Sequence, residues 1–432
     1  MNSIKTLIKT FSFVVTFVSM SLWASEMETP SLPVVITNAT IYTMGNDGTL
    51  NDASMVIIDG KIAAMGKNIP LPMGVKYIDA KGGSITPGLF NSHTHMGLEE
   101  VSAIQATDDF KTIDTDITAS LKIADAFNPN SVLIPHNRMH GLTRALIVPG
   151  SGSSLIAGQA GIVDLSGSYQ SVLNDYVGLV VNLGETGQHI AGGSRAAAYL
   201  QLANLLEEAR DYAKNKQFYL RGQSRDFKLS KSDLEALQPI INRQKPMIIS
   251  VNRAVDILQT LKIAKQQKIN IILSGVAEGW MVKQQIADAG VAVILDPIDN
   301  LPGSYETLGS RLDNAALMQR AGVTLLFTGM GWQNTHNAYL VRQSAGNAVA
   351  NGLTKTEALA AITRNPAKVF GMKGYGILEV GAEANLVLWS GDLFEVTSEA
   401  RKVFINGNLV PMQSRSIRLR DRYLKRHKQS MQ

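Results

Sequence analysis

The sequence predicts an α/β fold, a TIM-type (β/α)8 barrel with a small β-sandwich domain formed by both ends of the chain. Continuous apolar runs recur at residues 145–149, 178–183, 247–251, 270–274, 291–296 and 323–328, as strands buried on both faces do. Helical stretches separate them, such as SRAAAYLQLANLLEEAR at 194–210. Repeated βα units across 88–374 fit a closed parallel barrel better than an open sheet. The two flanks, 33–87 and 375–412, consist of short β runs punctuated by GNDG, DGK and NGN turns, which suggests one small sheet domain built from both ends.

The 432 residues are 45% hydrophobic and 18% charged, enough for one large domain and a smaller one and too apolar for global disorder. With no Cys, disulfide scaffolds, thiolate zinc sites and cysteine nucleophiles are excluded, so any metal must be held by His, Asp, Glu or a modified Lys. The formal charge of +5 sits largely at the chain ends. Between Arg415 and Lys428 there are seven Lys or Arg and one acid, Asp421. The tail, 413–432, therefore reads as a basic amphipathic helix, and a broad nucleic-acid surface on the body is not expected.

At the N-terminus Lys5 and Lys9 precede an uncharged apolar stretch, FSFVVTFVSMSLWA, that closes on the small residue Ala24. A basic n-region followed by a short h-region describes a signal peptide over 1–24, with cleavage near Ala24–Ser25. The expected location is outside the cytosol, and the periplasm in a Gram-negative host. No other segment matches the apolar length of this one, so no stable membrane span is expected after cleavage.

The strongest chemical signal is ITPGLFNSHTHMG at 85–97. His93 and His95 are two residues apart at the end of an apolar run, and on a strand both imidazoles share a face. Two neutral imidazoles on one rigid element make half of a metal site. His136 and His140 are four apart but precede a barrel strand, which places them on the lower or outer side. GSGSS at 150–154 reads as a flexible βα loop.

The 85–97 motif resembles the first-strand signature of the amidohydrolase superfamily, metal-dependent hydrolases on TIM barrels with a flanking β-sandwich. The likeness continues in AAITRNPAKVFGM (360–372), GILEVGAEANLVLWSGD (376–392) and SIRLRDRYL (416–424), and is nearest the exported, imidazolonepropionase-like branch. It implies a metal held by His93, His95 and a fourth-strand carboxylate, which Glu185 matches. It also implies a histidine on each of strands five and six and an aspartate after strand eight. This chain departs there: Ser250 and Asn252 stand on strand five, Ser274 and Gly275 on strand six, and Gly329 after strand eight. His93, His95 and Glu185 are then expected to hold one divalent ion, zinc by ligand type. Glu278 and Asp296, at adjacent strand ends, are candidates for the missing base, and His189, Asn252 and His336 for substrate contacts.

The resemblance implies hydrolysis of C–N bonds other than ordinary peptide bonds, in a cyclic amide or small peptide-like amide, through metal-activated water. The alternative is a catalytically degenerate member that binds a ligand or pairs with an active relative in a homo- or hetero-oligomer.

Overall fold

The computed structural model describes residues 33–430 apart from 224, 300 and 330. The expected signal peptide lies outside the described residues. The N-terminal flank forms β1 (Val34–Tyr42), β2 (Thr49–Ile58), β3 (Lys61–Gly66), β4 (Lys76–Asp79) and β5 (Ser84–Pro87). The middle contributes eight further strands: β6 (Leu89–Thr94), β7 (Leu142–Ile147), β8 (Ile156–Asp164), β9 (Val172–Asn182), β10 (Met247–Val251), β11 (Ile271–Gly275), β12 (Ala292–Leu295) and β13 (Leu325–Phe327). The C-terminal flank adds β14 (Leu386–Trp389), β15 (Ala400–Ile405) and β16 (Asn408–Leu409).

Both flanks enter one sheet, ordered β16-β15-β14-β5-β1-β2-β3 with β4 beside β1. The sandwich expected from the sequence is thus a single sheet that folds back on itself. The β2–β3 turn meets the far side of the sheet where Ile62 donates to the carbonyl of Ala382 (2.9 Å) and Ala384 to that of Gly60 (2.8 Å). The fold encloses an apolar core of its own, including Ile36, Ile41, Met55, Ile85, Leu386 and Phe404. Trp389 ties this sheet to the barrel. Its ring is buried in the barrel's outer core and its indole N–H donates to Thr86 Oγ1 (3.0 Å).

The eight middle strands run in sequence order around the barrel. β13 returns beside β6, where Thr328 Oγ1 donates to the carbonyl of His93 (2.9 Å), so the sheet is nearly closed. Its interior is packed: Phe90, Leu146, Ile162, Val180, Ile248, Ile272, Ile294 and Leu326 supply one apolar side chain from each strand. The intervening residues face outward and pack under the helices.

One expectation is corrected. The sheet is not wholly parallel, because β8 pairs antiparallel with both β7 and β9. The 148–155 connection is too short for a crossover, which needs a dozen or more residues. The GSGSS segment is therefore a ββ loop rather than a βα loop. No described helix is long and apolar enough to cross a membrane.

Candidate active site

The inward parity of the strands builds the site. Above the apolar layer of Val180, Ile248 and Ile272, the next inward positions are Asn182, Ser250, Asn252 and Ser274, all lining a cavity of about 310 Å³ at the strand C-terminal ends. β6 cannot follow this rule unaided, since Phe90 points inward and His93 and His95 have the opposite parity. The pairing of β6 with β7 shifts register between Asn91 and Thr94, and this irregularity turns both histidines into the cavity. Asn91 braces it. Its Oδ1 accepts from the backbone N–H of His93 (3.0 Å), and its Nδ2 donates to Asn334 Oδ1 (2.7 Å) and to the carbonyl of Ala338 (2.8 Å). Asn334 in turn donates to the carbonyl of His93 and to Thr328 Oγ1.

The two imidazole centroids are 5.9 Å apart, and Phe110 meets His95 edge-on at 4.1 Å. Burial disfavours the charged forms, pulling His93 down from 6.5 to about 4 and His95 to about 3, with the His93 neighbour adding to the fall at His95. Both rings are neutral at physiological pH. His95 Nδ1 and Asn182 Nδ2 are buried without a hydrogen-bond partner.

These shifts fix a pH dependence. Above pH 6.5 the rings are neutral folded or unfolded and contribute no slope. Below it the unfolded chain binds protons that the folded site refuses, so stability falls as the pH drops from about 6.5 towards 4. Melting temperature followed against pH in the native protein and in a His93→Gln/His95→Gln variant is expected to show the gap between the two curves changing within that window. Parallel curves would remove the effect.

Sequence reasoning missed Glu306, the carboxylate that lines the cavity. It lies in a short 3-10 turn, Tyr305–Thr307, after β12. Oε1 accepts from Asn252 Nδ2 (2.8 Å), Oε2 accepts from the N–H of Glu185 (2.7 Å), and Arg195 lies 3.7 Å from Oε2. Arg195 is shared with Asp256 (3.3 Å), so the loop is held over the cavity by a small charged network.

Several expected residues lie elsewhere. Glu185 is not on the strand but in the first turn of helix Gly184–Ile190, outside the cavity wall, where Asn182 and Thr186 stand instead. His189, in the last turn of that helix, is exposed and also outside the wall. His336 opens onto a separate surface groove with His136 and Leu419, because Asn334 is the residue of that segment that turns inward. Glu278 is structural: its Oε2 accepts from the N–H of Ala254, the first residue of helix Ala254–Gln267 (2.8 Å). Asp296 is half-buried, which raises its pKa, and its oxygens accept from the N–H groups of Ile298 and Gly331 (3.0 Å each), outside the cavity wall. Of the expected contacts, His93, His95 and Asn252 are the three that line the cavity. A larger groove, about 790 Å³, lies at the opposite ends of β11 and β12, but its wall holds none of these residues.

Residues 255–410 match the Amidohydrolase family. Over that stretch, about a third of its length, the chain is similar to this family. Short segments of the chain are similar to curated relatives. Over 66 residues it is 42% identical to the 5'-deoxyadenosine deaminase of Methanosarcina acetivorans, which is 15% of either chain. Over 53 residues it is 45% identical to the imidazolonepropionase of Shewanella halifaxensis, 11% of this chain and 13% of that one. These matches span only 13–15% of the relatives' own lengths. The whole fold is shared with the amidohydrolase from Thermotoga maritima, at a TM-score of 0.78 and 24% identity over 88% of this chain and 100% of the other. Molinate hydrolase superposes at a TM-score of 0.54 and 15% identity over 89% and 95% of the two chains.

Amidohydrolases generally use a divalent metal. The donor set of this chain does not fit one. Among the described residues no three His, Asp or Glu side chains are placed to share an ion, so the expected His93, His95 and Glu185 triad is not assembled. Glu306 has both oxygens engaged. Two of the positions where the resemblance expects a ligand are crowded. Gly275 has φ +89, and a Cβ there would lie 2.6 Å from Asn252 Oδ1; at Gly329 a Cβ would lie 2.0 Å from Ser344 Oγ.

Proposed function

We propose that this protein is an amidohydrolase that hydrolyses a C–N bond other than a peptide bond, in a cyclic amide or small peptide-like amide, with His95 as the proton acceptor. The observation that carries the reading is a neutral imidazole on the wall of a cavity sized for a small molecule. Water attacks the acyl carbon and gives its proton to His95. The resulting oxyanion is met by the polar wall to which Asn182, Ser250 and Asn252 contribute, and the C–N bond breaks as the proton passes from His95 to the leaving nitrogen. The products are a carboxylic acid and an amine, joined in one molecule where the substrate is cyclic. No step passes through zinc, since two imidazoles are fewer than the three protein ligands of a catalytic zinc site. The segment similarity to imidazolonepropionases and deaminases supports small nitrogen-containing substrates.

The test is amine or ammonia release by the full chain from a panel of cyclic amides and dipeptides, with added zinc and with chelator. Turnover of at least one member above that of a His95→Ala protein is expected. Background rates in both proteins across the panel would overturn the proposal.

We also propose export, on the strength of residues 1–24. N-terminal sequencing of the protein recovered from the periplasm of a Gram-negative host is expected to start near Ser25. Cytosolic protein with Met1 intact would refute it.

A further inference from the structure

The chain ends in a 16-residue helix, Arg415–Ser430, none of whose residues is buried. Its base is fixed: Ser414 is buried, and Arg415, Ser416 and Leu419 line the groove that holds His136 and His336. From Arg420 onward every described residue is exposed, including Tyr423 at 59% and Leu424 at 51%. Isolated helices of this length are marginal in water, so the exposed part gains from a surface to lie on.

The side chains are sorted by character. At about 100° per residue, Arg415, Arg418, Arg422, Lys425, Arg426 and Lys428 fall on one half of the helix together with Asp421. The other half carries Ile417, Leu419, Tyr423 and Leu424, with Arg420 as the one cation among them. Among the described residues the helix makes one ion pair, internal to it, between Arg420 and Asp421 (2.8 Å), and Arg426 lies 6.0 Å from the Tyr423 ring. Among the described residues, none of its other cations forms an ion pair with an acid of the body.

We infer that this helix is a peripheral anchor for an anionic phospholipid surface. A cationic half attracts the headgroups, and an apolar half with a tyrosine enters the boundary between headgroups and acyl chains. A polyanion without an apolar phase would meet the charges and leave Tyr423 and Leu424 in water, so lipid is the partner that uses both halves. With its base docked on the body, the helix holds the protein at the surface without spanning it.

The test is flotation of the full chain with vesicles of phosphatidylglycerol and phosphatidylcholine against vesicles of phosphatidylcholine alone. Comparison with a R418E/R422E/K425E variant and a Tyr423→Ser/Leu424→Ser variant, both checked for native circular dichroism, isolates the helix, because residues 1–25 are common to all three. The native chain is expected to float with the anionic vesicles and to be released by about 0.5 M salt. The triple variant should need at least about a hundredfold more lipid, each lost cation near such a surface contributing roughly a fivefold factor and each new glutamate adding repulsion, and the double variant should also bind less. Equal flotation of the native chain and the triple variant would overturn the inference. So would no flotation of the native chain, or retention on heparin without vesicle binding.

Discussion

Replacing His95 by alanine is expected to lower kcat/KM by about 10²–10⁴-fold, the contribution of a positioned general base. The ring is held edge-on against Phe110 at 4.1 Å, its charged form is suppressed by burial, and Nδ1 has no competing partner. The ring is therefore unprotonated and free to take a proton from water, while its lowered pKa makes it a weak base and places the loss at the lower end of that range. The loss should fall on kcat more than on KM, because the transferring proton is bound to His95 only as the transition state forms. A circular dichroism spectrum and melting curve near those of the native protein separate this from unfolding. If the His95→Ala protein keeps its rate within threefold on a substrate that the native protein turns over, His95 is not the base.

Gly329→Asp is expected to destabilise the barrel by at least about 3 kcal/mol, as overpacking and a buried unpaired charge together do. The added Cβ would lie 2.0 Å from Ser344 Oγ and 3.2 Å from Val341 Cα, and backbone cannot move aside as a flexible side chain can. Ser344 Oγ also reaches Asp296 Oδ1 (3.4 Å), so the new carboxylate would arrive beside a half-buried acid whose charged form burial already disfavours. Urea unfolding reads the effect, and adding Ser344→Gly should recover part of it. A ΔΔG within 0.5 kcal/mol of zero would show that the segment after β13 yields.

The barrel was legible because apolar runs such as 247–251 and 270–274 report burial directly, and His93 and His95 because two histidines closely spaced at a strand end are rare by chance. The replacement of ligands by Asn252, Ser274 and Gly329 was equally plain. The inward turn of the histidines was not, because it depends on a register shift at 91–94 that leaves no mark in composition. β8 escaped notice because Ala157, Gly158, Ala160 and Gly161 dilute its β-branched residues. Glu306 sits in LPGSYETLG, which reads as an ordinary surface loop, and only the fold brings it to Asn252 and Arg195. Glu185 was misplaced by a few ångströms of geometry: the strand ends at Asn182, and the helix starts before the carboxylate.

The pairing of β5 with β14, Ile85 opposite Leu388 and Thr86 opposite Val387, joins residues about 300 positions apart. On a ribosome making the chain from its N-terminus, β1 to β5 emerge long before that partner strand exists. Until then one side of β5 is an unpaired edge with apolar neighbours, the kind of surface that recruits foreign strands. The small sheet is thus completed only when the C-terminal flank arrives, and its closure is a late, whole-chain event that a holding chaperone, or a secretion channel that keeps the chain unfolded, would shelter.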